Sequence, residues 1–386
     1  MQITPHFSSS TPRQDAHLFI REVSATPQTR RRLPPSYPAM SLRIIPANII
    51  SRLQALSTGQ SPDTPNEDEP AADTAPRHAG SRNENGHYDP SPIDVAVVRI
   101  MLAKATKLPV DVVDGIFELA EYWVRTTTAA DYSGNALYVS SRSVQDRFLV
   151  RSLPIGFTSE HSGDLDLKGE PAPAKPLKSS VPANKLARMA DYPLPKLQGP
   201  VRKVVFKFTS HDQGWSGETG GLYENSWTWF EAGLERLDDS EIGAPRDPPP
   251  TALYRQALRP VHPAIEEVIE EKKEDAENGE PAPQEPQFQY QFPLIQSPKW
   301  TVCRNKRAHR DWQDHTITWA CYDDVQADSD GSKALEENGR GRETGNGEFV
   351  RNLQLGDVVT LWAKARFPGW VNNILAASID VYWAAT

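Results

Sequence analysis

Cysteine is nearly absent. Cys303 and Cys321 are the only two in 386 residues, too few for a disulfide framework or a four-ligand zinc site. A basic excess is also missing. With 42 Lys and Arg against 51 Asp and Glu, the formal charge is −9, so the clustered cations that drive binding to a phosphate backbone are lacking and no nucleic-acid partner is expected. No apolar run approaches the roughly 20 residues of a membrane span, and the first residues lack the apolar stretch of a secretory signal. No membrane partner is expected, and the sparse cysteine predicts a reducing compartment, cytoplasmic or nuclear. Ser41–Leu53, apolar, arginine-bearing and free of acid, has the composition of a mitochondrial presequence if the start lies at Met40, which makes import the lesser expectation.

Apolar residues are scarce as well. They make up 38% of the chain, and 34 prolines outnumber 23 glycines, so long stretches cannot bury enough surface to offset the entropy of folding. Residues 1–91, rich in Ser, Thr, Pro, Asn and Glu, are expected to be disordered. Residues 126–199, with Pro171-Ala172-Pro173-Ala174-Lys175-Pro176, are expected to form a partly ordered linker in which segments 136–139 and 148–150 dock on a neighbour. An acidic, proline-rich insert over 237–290 is expected to be disordered, with Ile265–Lys273 at most an exposed helix. A polar loop is expected over 325–346. Lengthening a loop costs only about 0.6 kcal/mol per doubling, so one domain tolerates both interruptions.

Two segments carry periodicity. Between Ser91 and Arg125, Ile93, Val97, Ile100 and Met101 recur at helical spacing, Leu108-Pro109 interrupts, and Val112, Val113, Ile116, Leu119 and Ala120 resume the pattern. This predicts a pair of short helices closed by Tyr122 and Trp123. From Val201 onward the period is two. Val204, Phe206 and Phe208 alternate with Lys203, Val205 and Lys207, and further β-prone runs are Ser226–Phe230, Trp300–Cys303, Thr316–Trp319, Glu348–Leu355, Val358–Arg366 and Ser378–Trp383, with Gly356-Asp357 as a hairpin turn. Nine of the ten tryptophans lie at or beyond Trp215, a supply of large side chains suited to the core of a small β domain. The expected fold is mainly β: an antiparallel, jelly-roll-like sandwich of about seven or eight strands over residues 200–386, preceded by the helical pair.

Chemistry-bearing residues concentrate in loops. His211-Asp212-Gln213-Gly214-Trp215 follows the first strong strand, and Phe367-Pro368-Gly369-Trp370-Val371-Asn372-Asn373 precedes the last. His211, Asp212, Gln213, Trp215, Trp370, Asn372 and Asn373 are the candidate ligand contacts, with indoles as stacking faces and amides, imidazole and carboxylate as hydrogen-bond partners. Adjacent His211 and Asp212 point apart in an extended chain, and no nucleophile elbow is present. A hydrolase would have to pair Asp212 with Glu224 or Glu231. His309 and His315, six apart in an expected hairpin loop, lack metal-ligand spacing, and a calcium-loop template centred on Gly331 fails at its first position, Gln326. Arg304, Lys306, Arg307 and Arg310 form a small basic patch suited to a phosphate or an acidic peptide. Cys303 and Cys321 are expected on facing strands, as buried free thiols. Neither metal nor cofactor is expected.

Two resemblances attach to these residues. The blocks His211–Ser216, Ser226–Glu231 and Phe367–Asn372 resemble an uncharacterised family of filamentous-fungal proteins, some of which carry ankyrin repeats or other interaction modules. Leu108–Leu119 resembles the opening of an F-box, which implies recruitment of substrates to a ubiquitin ligase through Leu108, Pro109, Val112, Ile116, Tyr122 and Trp123. The expected function is therefore non-enzymatic recognition of a protein or glycan by the Trp-rich domain. The alternatives are an F-box-like adaptor and a two-carboxylate hydrolase.

Overall fold

The alternation along Val201–His211 decides where the core lies. Val204, Phe206 and Phe208 are buried while Lys207 is exposed, as a half-buried strand requires. Phe208 stacks at 3.9 Å on Phe230 of the opposing sheet. Each such aromatic removes on the order of 150–250 Å² from water.

The computed structural model describes residues 81–82, 88–142, 144–159, 165–190, 192, 194–195, 198–217, 219–242, 255–268 and 286–385. Two short strands, β1 (Ser81–Arg82) and β2 (Tyr88–Asp89), precede helices α1 (Pro92–Thr106) and α2 (Val110–Leu119). Then follow β3 (Val124–Asp131), β4 (Leu137–Ser140), β5 (Asp146–Arg151), α3 (Ala183–Met189), β6 (Val201–His211), β7 (Thr228–Leu237), α4 (Asp239–Ile242), β8 (Leu258–His262), β9 (Ile265–Glu267), β10 (Phe288–Tyr290), β11 (Thr301–Arg304) and β12 (Gln313–Ala320). The chain closes with α5 (Asp330–Glu337), α6 (Glu348–Asn352), β13 (Val358–Ala365) and β14 (Val371–Trp383).

Two five-stranded antiparallel sheets form the sandwich, β12-β6-β14-β3 with β4 beside β14, and β11-β7-β13-β5 with β8 beside β7. Successive principal strands alternate between the sheets from β5 to β7 and again from β11 to β14, the crossing pattern of a jelly roll. The helical pair matches its expectation. Ser91 caps α1 through its hydroxyl and Asp94 returns the bond, while Arg99 pairs with Asp114 of α2 at 2.6 Å.

Several segments depart from expectation. Residues 126–199 are not a linker: β3 and β5 occupy the edges of the two principal sheets. The buried residues within β3 are Val124, Thr126, Thr128 and Ala130, too small or polar to mark a strand by hydrophobicity. The insert supplies β8, β9 and β10, with Ile265–Glu267 paired in a strand rather than helical. Residues 243–254 and 269–285 of that insert lie outside the described residues, as do residues 1–80 and the presequence-like segment. The polar loop contains α5, capped by Ser329. Glu348–Leu355 forms α6 and a turn, not a strand. Val350 and Leu353, both buried, share one helical face, and Phe349 sets its ring edge-on to Trp300 and Trp319. Gly356-Asp357 therefore joins a helix to β13, where the Asp357 carboxylate receives Arg236 Nε at 2.6 Å. The connection from β11 to β12 is no hairpin, because these strands belong to different sheets. Cys303 and Cys321 are both free, Cys303 buried with its thiol pushed up to about 12 by burial.

Candidate functional site

Three connections meet at one end of the sandwich: 212–227 after β6, 305–312 after β11 and 366–370 after β13. Asp212 ties the first two together. Its carboxylate accepts the backbone N–H of Gly214 at 2.7 Å, Ala308 at 2.6 Å and His309 at 3.0 Å. Burial raises the pKa of Asp212 despite these three donors. Arg307 clamps the same loops from the other side, donating to the carbonyls of Thr219, Gly220 and Glu224. Gln213 accepts from Val371 N at 3.3 Å, and Asn373 donates to the carbonyls of His211 and Asp212, so the third connection is bound in as well.

Aromatic surface is left uncovered on this frame. Trp215 is 58% exposed, Trp312 42% and Phe367 38%. Trp215 lies against Gly369, whose φ is +93°, and a Cβ there would come to 3.2 Å from the indole. Only glycine suits both the backbone and the contact. Trp312 packs edge-on against His211 at 4.4 Å and Trp227 against Phe367 at 4.6 Å. Phe367 itself has φ +64°, a left-handed conformation that a bulky residue seldom adopts. Arg310 runs beside Gly214, within reach of a Cβ placed there.

The expected ligand contacts thus divide. His211, Gln213, Trp215 and the half-buried Trp370 line this end. Asp212, Asn372 and Asn373 do not present free groups to a ligand: Asp212 and Asn372 are 0% exposed and Asn373 6%. Asn372 donates to the carbonyls of Trp229 and Lys364 and accepts from Asn305 at 2.9 Å. All three are struts, because a buried polar group is tolerated only when paired. Phe367, Trp312, Trp227 and Arg310 join the surface without having been singled out as ligand contacts; aromatic content in loops was the available signal.

Of the expected partner contacts, Pro109, Val112 and Ile116 are exposed and Leu108 half-buried. Trp123 is 5% exposed and belongs to the core, with Lys203 Nζ 5.3 Å from its ring centre. Tyr122 is half-buried, edge-on to Phe117.

The three carboxylates considered for hydrolysis share no partner. Asp212 holds backbone, Glu224 accepts from Gly221 N at 3.0 Å, and Glu231 belongs to a charged layer on the outer face of the β7–β13 sheet. There Glu231 meets His262 at 2.8 Å and Lys364 at 3.4 Å, Lys364 reaches Asp146 at 3.4 Å, Arg366 meets Asp146 at 2.8 Å and Arg151 meets Glu235 at 2.8 Å. The layer is buried because segment 286–300 lies over it: Tyr290 donates to Ala172 O, Arg366 to Pro293 O, and Trp300 stacks on His262. Burial alone would raise the Glu231 pKa, but the His262 hydrogen bond and the Lys364 charge outweigh it and hold the carboxyl down to about 2. Among the described residues no group of three or more His, Cys, Asp or Glu could hold a metal ion, and no helix is long and apolar enough to cross a membrane.

Fold and site together define an antiparallel β-sandwich with an aromatic surface at one end. Compared with known proteins, the chain matches no family model, no curated protein and no solved structure.

Proposed function

We infer that the protein is a non-enzymatic glycan-binding protein whose contact surface is the aromatic end formed by Trp215, Trp312 and Phe367, with His211, Gln213 and Arg310 at its margin. The observation that carries the reading is the exposure of three large aromatic rings on loops cross-braced by Asp212, Arg307 and Asn373. A rigid apolar face accepts the C–H face of a sugar, and the polar margin orients its hydroxyls. The left-handed Phe367 adds support, since strained residues persist where function retains them.

Phe367 also allows a test that separates binding from folding. Phe367→Gly removes the ring and relieves a backbone penalty of about 1 kcal/mol. The variant is expected to leave the urea midpoint unchanged or raised, and to lose about tenfold or more of the affinity for any oligosaccharide retained from an immobilised panel. Trp215→Ala is expected to lose binding likewise. Capture of no oligosaccharide by the wild type, or equal capture by both variants, would overturn the reading.

A second reading has an observation of its own. On α2, Val113 and Phe117 face inward while Val112, Ile116 and Leu119 are 43%, 38% and 89% exposed, an apolar stripe at helical spacing. Together with the F-box resemblance, this supports an adaptor that docks α2 on a ligase scaffold. Ile116→Asp changes an exposed position, so the fold is expected to survive while capture of that scaffold by the full chain is lost; a wild-type chain that retains no scaffold removes the reading.

A further inference from the structure

Beside β11 lies a cavity of about 50 Å³ that belongs to neither surface above. A water molecule accounts for about 30 Å³ of liquid. The space is therefore larger than one water and much smaller than a sugar ring. Thr301 and Arg304 line it from β11, Glu336 from the end of α5, and Arg340 and Arg342 from the loop that follows.

The walls hold buried hydrogen-bonding groups with no partner. The Nε of Arg304, Arg340 and Arg342 and the Oγ1 of Thr301 are buried and unbonded, Thr301 being 1% exposed. The other contacts of these guanidinium groups are long. Arg304 reaches Tyr223 O at 3.5 Å, and Arg340 reaches Thr318 O at 3.5 Å. Glu336 is the single carboxylate in the lining, 3.9 Å from Arg304 and 3.3 Å from Arg342; the exposed Asp328 comes only to 3.9 Å from Arg342. Three cations facing one anion leave two positive charges unbalanced. Burial lowers the pKa of both Arg304 and Arg340, as expected of cations short of counter-charge.

Buried donors without acceptors are costly, each by about 1–3 kcal/mol and more when charged. A group that supplied several acceptor oxygens and two negative charges would satisfy all of these donors at once. Guanidinium forks match phosphate oxygens in geometry.

We propose that the cavity between Thr301, Arg304, Arg340 and Arg342 binds a phosphate group, as inorganic phosphate or as the phosphoryl end of a small monoester. Glu336 and Arg342, both part-exposed, leave a side through which an ester could extend. The glycan reading does not bear on this site, so either can fail alone.

The test is calorimetric titration of the full chain with inorganic phosphate and with phenyl phosphate, at ionic strength held constant with sodium chloride. Wild type is expected to bind at least one of the two. Binding of phosphate alone identifies a free ion, and binding of phenyl phosphate identifies a monoester. Arg340→Gln and Arg342→Gln are each expected to weaken binding on the order of tenfold to a hundredfold, the value of one charge-assisted hydrogen bond. Arg342 is 39% exposed, so its variant keeps the fold even if Arg340→Gln does not, and melting curves without phosphate confirm this. No binding of either probe by wild type, or equal affinity in wild type and a folded variant, overturns the proposal.

Discussion

Replacing Lys364 by methionine is expected to lower the unfolding free energy by about 3–5 kcal/mol, the penalty for removing one partner of a buried ion pair. Lys364 is 1% exposed and sits 3.4 Å from both Glu231 and Asp146. In its layer Asp146, Glu231 and Glu235 face Arg151, Lys364 and Arg366, a balance of permanent charges. Asp146 keeps Arg366 when Lys364 is lost, so the uncompensated charge falls mainly on Glu231. The methionine stem replaces most of the lysine volume, which separates charge from packing. Urea denaturation measures the loss. The double variant Lys364→Met with Glu231→Gln is expected to recover part of it, because the orphaned charge goes with the carboxylate. A loss below about 1 kcal/mol, or simple additivity in the cycle, would show that the layer is not electrostatically closed.

The second large effect is acid lability. His315 is buried on β12, stacked on Phe208 at 4.9 Å and 3.9 Å from the Cys303 thiol. Burial first, and then the charge of Lys306, depress its pKa from 6.5 to about 4, with Asp314 opposing. The unfolded chain therefore takes up this proton before the folded one does. The stability tied to neutral His315 is complete above pH 6.5 and is lost as pH falls toward 4, on the order of 3 kcal/mol in all. Glu231 acts lower, its contribution present above 4.5 and lost as pH falls toward 2. His315→Leu should flatten stability against pH between 6.5 and 4 and leave the steeper fall below 4.5. Urea midpoints at pH 7, 5.5 and 4.5 give the comparison, and parallel slopes in wild type and variant would refute it.

The legible part of the fold was the part written in large apolar residues. Val204, Phe206 and Phe208 mark β6 by alternation, and the tryptophan-bearing runs mark β7, β11, β12 and β13. β3 was illegible because its buried positions include Thr126, Thr128 and Ala130, which look the same in a linker. Glu348–Leu355 read as a strand because Val350 and Leu353 fit more than one local pattern; the rings of Trp300 and Trp319 supply the contact for Phe349 of the helix. At the candidate site, the sequence named the His211 loop and the Trp370 turn. It could not show that Asp212, Asn372 and Asn373 turn inward as struts, nor that Arg304 meets Arg340 and Arg342, which lie 36 and 38 positions further along the chain.

What the sequence alone determined was local: the period of the strands, the capped helical pair, the supply of indole rings and their placement in loops. Those properties depend on neighbours within a few positions, and the chain carries them wherever it folds. What only the tertiary structure decided was pairing across distance. The sheet order sets three loops at one end, segment 286–300 covers a row of charges, and three arginines from separate elements share one cavity. Each of these depends on which face is covered and by what, and burial, with the low polarizability it brings, is a property of the assembled molecule rather than of any stretch of chain.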